Sequence, residues 1–299
     1  MEIDVAVIGA GTAGLAAAVQ LARYGIGTVV FERGEPGGQI WTANRVDNYL
    51  GLPGLGGMAL AKRFLGHARR VGVRIVQEEV LELVAGKVFT IRTAERKLKA
   101  KAVIVATGAE PRRLDGVDGR TGSMLMYDTR ELADFWGKDT IILGGGDAAL
   151  DRALRLKNVC SRIRVLSRGS ITAHPGLVAE CRRAGIKMVQ DVGSWNVGLG
   201  DGGFVITTKT GSFQAGAVLA SLGKEPRTSL LPRTIEQLAP TFPDGKTRLP
   251  GLYLVGDIAA GRFRQTSVAA GMGVAAAMHA ADFLKRWHGI KVKGGSGWR

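Results

Sequence analysis

Apolar positions along the chain come in two alternating patterns. Residues 3–8, 28–31, 102–105, 140–143, 163–166 and 252–255 are short, nearly continuous apolar runs. Runs of that length predict strands buried on both faces of a parallel sheet. Residues 15–24, 150–157 and 267–284 carry apolar and small residues at helical spacing, the last of them rich in alanine. Strands alternating with helices predict an α/β fold with parallel sheets.

Glycine sits at the joints of this pattern. Gly9-Ala10-Gly11-Thr12-Ala13-Gly14 follows the first run and opens the first helix, Gly25 and Gly27 end that helix, and Glu32 closes the second run. In such a strand–turn–helix–strand unit the first glycine makes a tight turn, the second lets backbone approach a pyrophosphate, and the third lets helix and strand pack closely. The helix N-terminus offers free N–H groups to phosphate, and the acid accepts from ribose hydroxyls. The unit recurs at Gly144-Gly145-Gly146-Asp147-Ala148-Ala149, between the runs 140–143 and 163–166. Two dinucleotide folds in one chain predict one FAD site and one pyridine-nucleotide site. In the second unit Ser167 stands where Glu32 stands in the first, and Arg168 follows it. That leaves two readings: a site where Arg168 meets a 2′-phosphate, or a degenerate site that no longer holds nucleotide.

Composition sharpens this picture. The chain has 299 residues, a soft prior of two domains, and is 45% hydrophobic and 22% charged, which excludes disordered, collagenous and coiled-coil classes. Its 44 glycines are about twice the usual share. Two cysteines are too few for a disulfide scaffold or a four-ligand zinc site, and no histidine recurs at metal-ligand spacing. The net charge of +15 is scattered, without a block of like charges. It reads as a solvated basic surface or a face for a small acidic redox partner, and no nucleic-acid motif accompanies it. The N-terminus lacks a basic signal-peptide region, and 268–284 reads as a buried helix rather than a span, so a cytoplasmic chain with no membrane partner is expected.

Taken in order, Gly9-x-Gly11-x-x-Gly14, Gly37-Gly38-Gln39, Asp47-Asn48-Tyr49-Leu50-Gly51, Ala106-Thr107-Gly108-Ala109, Gly144-Gly145-Gly146-Asp147, Gly256-Asp257 and Arg264-Gln265-Thr266-Ser267 resemble the low-molecular-weight thioredoxin reductase family and the thioredoxin-reductase-like ferredoxin–NADP reductases. The resemblance runs over about residues 3–285. It implies two Rossmann-like dinucleotide-binding domains, the second inserted into the first: an FAD-binding domain over 1–113 and 247–299, and an NAD(P)-binding-like domain over 114–246. Hinges lie at Ala109-Glu110-Pro111 and Gly223-Lys224-Glu225-Pro226, and a homodimer is implied. The implied FAD set is Gly9, Gly11, Thr12, Ala13, Gly14, Glu32, Arg33, Gly38, Gln39, Asn48, Val80, Ala106, Thr107, Gly108, Gly256, Asp257, Gln265 and Thr266. Asn48 is either an amide on the flavin or ribityl chain or a turn residue, and Val80 is placed on a strand beside the adenine. Ser or Thr at the start of the last helix is a natural N-cap, with the helix dipole toward the flavin. The implied NAD(P) set is Gly144, Gly146, Asp147, Ala148 and Arg168, with NADPH or NADH as the nucleotide.

Two departures stand out. Where the family carries C-x-x-C before the second glycine turn, this chain has Ser123-Met124-Leu125-Met126-Tyr127-Asp128. Disulfide exchange needs an attacking thiolate and a resolving partner, and neither is there. Cys160 and Cys181 are read as small buried hydrophobes, with a regulatory disulfide or a replacement pair as the alternatives. The family's basic clamp after the insert's second strand is Ser167-Arg168-Gly169 here, with Ala173 at a later arginine position. The chain is expected to pass electrons from NAD(P)H through FAD to dioxygen, a quinone or dye, or a small redox protein such as ferredoxin. No acid, base or nucleophile is assigned as catalytic. The rival readings are a flavoprotein reduced by ferredoxin or another protein carrier, and a non-catalytic FAD-binding protein. His174 is expected on the surface, and Trp41, like Tyr49, either shields the flavin ring or packs as core.

Overall fold

The computed structural model describes residues 2–231 and 244–293. The chain divides into two compact units, one of Met1–Trp41, Val46–Glu110 and Glu225–Arg299, the other of Thr42–Arg45 and Pro111–Lys224.

In the first unit β1 (Glu2–Ile8) leads through α1 (Thr12–Arg23) to β2 (Thr28–Phe31). Then come a short 3-10 turn at Gly38–Thr42, α2 (Gly57–Arg70) and β3 (Arg74–Val76). β4 (Glu82–Val84), β5 (Phe89–Arg92) and β6 (Lys97–Val105) follow, and β7 (Ala109–Pro111) leaves the unit. The second unit runs through α3 (Gly119–Met124), β8 (Asp139–Leu143), α4 (Asp147–Leu156), β9 (Arg162–Leu166), α5 (Pro175–Arg183) and β10 (Lys187–Val189). An antiparallel trio, β11 (Trp195–Gly200), β12 (Gly203–Thr208) and β13 (Gly211–Ala215), precedes β14 (Ala217–Ala220). β15 (Lys224–Pro226) returns to the first unit, which ends with β16 (Leu252–Leu254) and α6 (Thr266–His288).

The first unit's sheet has the order β3-β2-β1-β6-β5-β4, with β16 also on β6. β1, β2, β3, β6 and β16 are parallel, and β4 and β5 are antiparallel. Val5 and Val7 pack on the α1 and α6 side, while Ala6 and Ile8 pack on the other with Phe31 and Val105, as the two-residue period of a strand requires. α6 is long and apolar enough to cross a membrane by length and composition. Its alanine and glycine face is nevertheless buried on α1: a Cβ on Gly273 would fall inside contact distance of the Ala13 carbonyl. The second unit's parallel sheet, β10-β9-β8-β14, has α4 and α5 on one face and the antiparallel trio on the other.

The helices start earlier than periodicity predicts, α1 at Thr12 and α4 at Asp147, because the first turn after each glycine motif carries no bulky apolar residue to mark it. The unit boundaries differ from the expected 1–113, 114–246 and 247–299. Apart from the short stretch Thr42–Arg45, which groups with the second unit, the crossings lie at Glu110/Pro111 and Lys224/Glu225, where β7 and β15 pair as a two-stranded ribbon, and Leu230 and Leu231 already join the first unit's core. Residues 232–243 of the expected insert lie outside the described residues. Val80 is buried but lies in the connection between β3 and β4, not on a strand, because β4 begins only at Glu82.

Candidate functional sites at two glycine turns

The first turn is built around bare backbone. Gly9 has φ +107°, and a Cβ there would strike the Ala106 carbonyl at the end of β6. Gly14 has no room for a Cβ against Gly9 and Val7. Gly11 differs from both. Its φ is −75°, and a Cβ on it would meet only the Gly38 Cα, at 3.7 Å. Packing does not demand glycine there, whereas a ligand laid against the backbone does. Gly11 caps α1 without a side-chain hydrogen bond, and the first bond of the helix is Leu15 N–H to the Gly11 carbonyl. The N–H groups of Thr12, Ala13 and Gly14 therefore lead the helix, as an anion site requires.

Glu32 is locked into this turn: Ala10 N–H donates to Oε2 at 2.7 Å and Gly34 N–H to Oε1 at 3.0 Å. Arg33 points out beside it and pairs with Glu79 at 3.6 Å. Gly38, at φ +66°, lies against Gly11, and Gln39 Nε2 donates to the Ala109 carbonyl at 2.8 Å. Thr107 Oγ1 donates to the Arg227 carbonyl at 2.9 Å, and Gly108, at φ +76°, lies beside Gln39. Gly256, at φ +75°, places bare backbone against the Ala13 methyl, and Asp257 follows it, half-buried, with its carbonyl accepting from Arg264 Nε. These residues fit a dinucleotide pyrophosphate on the N-terminus of α1, with polar groups from Gln39 to Asp257 around it.

At the start of α6 the expected cap is absent. Gln265 occupies the N-cap position with no side-chain cap bond, Thr266 is the first helical residue, and Ser267 Oγ donates to the Asn48 carbonyl at 3.2 Å. Asn48 Nδ2 donates to Gln265 Oε1 at 2.9 Å, so that amide holds two loops together. Trp41 is half-buried against Gly37, with the Lys62 ammonium 6.0 Å from its ring, and Tyr49 lies 5.0 Å from Phe64. Both pack within the first unit.

In the second turn Gly144, at φ +132°, lies against the Ser221 carbonyl, and a Cβ on Gly145 would strike Ser167. Gly146 caps α4, Asp147 Oδ1 accepts from His174 N–H at 2.7 Å, and Ala148 is exposed in the helix's first turn. Exposed His174 caps α5, its Nδ1 accepting from Gly176 N–H. Arg168 is exposed, its guanidinium 5.2 Å from the centre of the Trp195 ring. Sequence reasoning passed over Arg152 and Ser221. Arg152 is buried in α4 and donates to Ser221 Oγ at 3.2 Å. The available signal was a cation among the apolar positions Ala149, Ala153 and Leu156, and a hydroxyl just past a parallel strand's C-terminal end.

Both cysteines are free. Cys160 Sγ lies 3.2 Å from Thr140 Oγ1, and burial raises its thiol. Cys181 is fully buried, and burial pushes its thiol up to about 11. Leu125 and Tyr127, in the stretch where the dithiol would stand, are buried core residues, and Asp128 is exposed.

Comparison with known proteins shows the family and the fold. Residues 3–273 match the family described as pyridine nucleotide-disulphide oxidoreductase. The thioredoxin reductase of Bacillus subtilis (strain 168) is 29% identical over 94% of this chain and 95% of its own. That of Listeria innocua is 30% identical over 94% of each chain. The crystal structure of Lactococcus lactis thioredoxin reductase superposes with a TM-score of 0.85 at 26% identity, covering 95% of this chain and 99% of that one. The chain thus belongs to the pyridine nucleotide-disulphide oxidoreductase family, as a low-molecular-weight thioredoxin-reductase-like protein of a family that uses FAD and NADPH.

Proposed function

We propose that this protein is an FAD-dependent NAD(P)H oxidoreductase that delivers electrons to an acceptor other than thioredoxin, with no dithiol relay. The observation that carries the reading is the placement of sulfur. The chain's two cysteines, Cys160 and Cys181, belong to the second unit's hydrophobic core, and Cys181 has a thiol raised to about 11. A thiol so protonated at neutral pH is a poor nucleophile.

FAD, when bound, supplies two-electron chemistry between the nucleotide and the acceptor. The chain's part is to bind and orient it. Gly9, Gly11, Thr12, Ala13 and Gly14 take the pyrophosphate, and Glu32 and Arg33 the adenosine end, with Val80 beside it. Gly38, Gln39, Ala106, Thr107 and Gly108 continue the path. Asn48, Gly256, Asp257, Gln265 and Thr266 hold the flavin and ribityl end. Gly144, Gly146, Asp147 and Ala148 receive the pyridine nucleotide, with Arg168 toward its 2′-position. The acceptor is dioxygen, a quinone or dye, or a small acidic redox protein such as ferredoxin, for which the charge of +15 is favourable.

Anaerobic titration of the purified protein is the test. NADH or NADPH bleaches the flavin, thioredoxin takes no electrons, and a Cys160→Ser, Cys181→Ser double variant keeps its turnover within about twofold. Thioredoxin reduction that disappears in the double variant refutes the reading. Ser167 standing where the first unit has Glu32, with exposed Arg168 on Trp195 after it, favours one alternative: a flavin that reduced ferredoxin bleaches and neither nucleotide does.

A further inference from the structure

We propose that Arg152, held by Ser221, is the group that distinguishes reduced from oxidised nicotinamide in the second unit. The proposal rests on the reading that this unit receives a pyridine nucleotide.

Arg152 is 8% exposed. Removing a guanidinium from water is costly unless it is paired and hydrogen-bonded. Among the described residues its one hydrogen bond is to Ser221 Oγ, at 3.2 Å, and no carboxylate lies within ion-pair distance of it. Asp128 and Asp151 act on it only through space. Each has other engagements: Asp128 Oδ1 accepts from Arg130 N–H, and Asp151 Oδ2 from Asn44 N–H. Its other N–H groups have no acceptor among the described residues and are not sealed from the surface, so they are open to an acceptor from outside.

Its position says which acceptor. β8 lies between β9 and β14, so the chain turns one way from β8 through α4 to β9, while β14 lies on the other side. Dinucleotides bind across such a switch point, their two halves on opposite sides of the central strand. Ser167 and Arg168, at the end of β9, mark the adenosine side. Ser221 follows β14, its carbonyl against Gly144, and marks the other side. Arg152 therefore faces the nicotinamide half. Its free N–H groups suit the uncharged carboxamide oxygen. Its charge repels the pyridinium of the oxidised form and not the neutral dihydro ring.

The test is equilibrium binding to the oxidised holoprotein, measured by calorimetry. The probes are NAD+, the uncharged tetrahydro-NAD that transfers no hydride, and ADP-ribose, which lacks the nicotinamide. Wild type is expected to favour tetrahydro-NAD over NAD+ by about tenfold or more, and Arg152→Met to bring the ratio to about threefold or less, consistent with one partly screened charge. ADP-ribose affinity stays within about twofold, which also shows that the variant is folded. Arg152→Gln, which keeps polarity and loses charge, follows Arg152→Met. An unchanged ratio in both variants overturns the proposal and leaves the nucleotide reading standing. Loss of ADP-ribose binding in both makes Arg152 a structural counter-ion and also overturns it. Failure of wild-type holoprotein to bind any of the three overturns the nucleotide reading itself.

Discussion

Asn48 and Gln265, 217 positions apart, are joined by a hydrogen bond from Nδ2 to Oε1 at 2.9 Å. A second bond, from Ser267 Oγ to the Asn48 carbonyl, ties the same loop to the first turn of α6. Removing either amide side chain, as Asn48→Ala or Gln265→Ala, is expected to cost about 0.5–1.5 kcal/mol. The double variant costs less than the two singles added, because they remove one shared bond. Urea unfolding of the four proteins checks this, and full additivity would show that the bond contributes nothing.

Two glycines of α6 separate packing from propensity. Gly273 lies against the Ala13 carbonyl, whereas Gly271 is exposed with nothing within 4 Å of its missing Cβ. Gly273→Ala is expected to lower stability by about 1–3 kcal/mol as α1 and α6 are forced apart. Gly271→Ala is expected to raise it by about 0.5–1 kcal/mol through helix propensity. Thermal midpoints moving in opposite directions would bear this out.

The buried carboxyl of Asp151 gives stability a definite slope with pH. Burial raises it above the ordinary carboxylate range, against the opposing effect of the backbone N–H groups of Asn44 and Arg45. The folded protein then holds a proton that the unfolded chain has already released, so stability falls as pH rises from the ordinary value to the raised one. Asp139 acts in the opposite sense. Its pairing with Arg162 and Arg164 outweighs its burial and lowers its carboxyl, so its contribution is lost as pH falls below the ordinary range. Asp151→Asn keeps an acceptor for Asn44 and removes the first effect alone. Subtracting the variant's stability from the wild type's across pH 3–8 isolates it, and a difference that rises with pH would contradict the assignment.

Arg168 is one cation where a 2′-phosphate is read, and it rests on the Trp195 ring. A single charge-assisted contact is worth about 1.5–3 kcal/mol at most. Arg168→Ala is expected to weaken NADPH binding by about tenfold and NADH binding by less than threefold. Dissociation constants for both nucleotides decide it. Equal losses would mean that Arg168 does not read the phosphate.

Much of the site is legible without coordinates, for a local reason. A strand, a glycine turn and the helix after it lie within about twenty residues, so Gly9, Gly11 and Gly14, or Gly144 and Gly146, announce backbone geometry that the neighbouring residues alone require. The unit boundary is less legible: β7 and β15 pair across more than a hundred intervening residues, and no turn chemistry marks the partner. The end of the ladder near Val80 is hard to read for a related reason. A buried valine looks the same whether the ladder includes it or stops two residues later.

By itself, then, the sequence determined the two nucleotide-type units, their order and the absence of a dithiol, because spacing and composition are properties of a short stretch of chain. Tertiary structure decided that Asn48 meets Gln265, that Glu32 Oε2 accepts from Ala10 N–H, and that Arg152 is buried and bonds Ser221 among the described residues. Those pairings carry no periodic signal. They exist because segments far apart in sequence are brought together near the carboxyl ends of the same strands, and only the folded sheet puts them there.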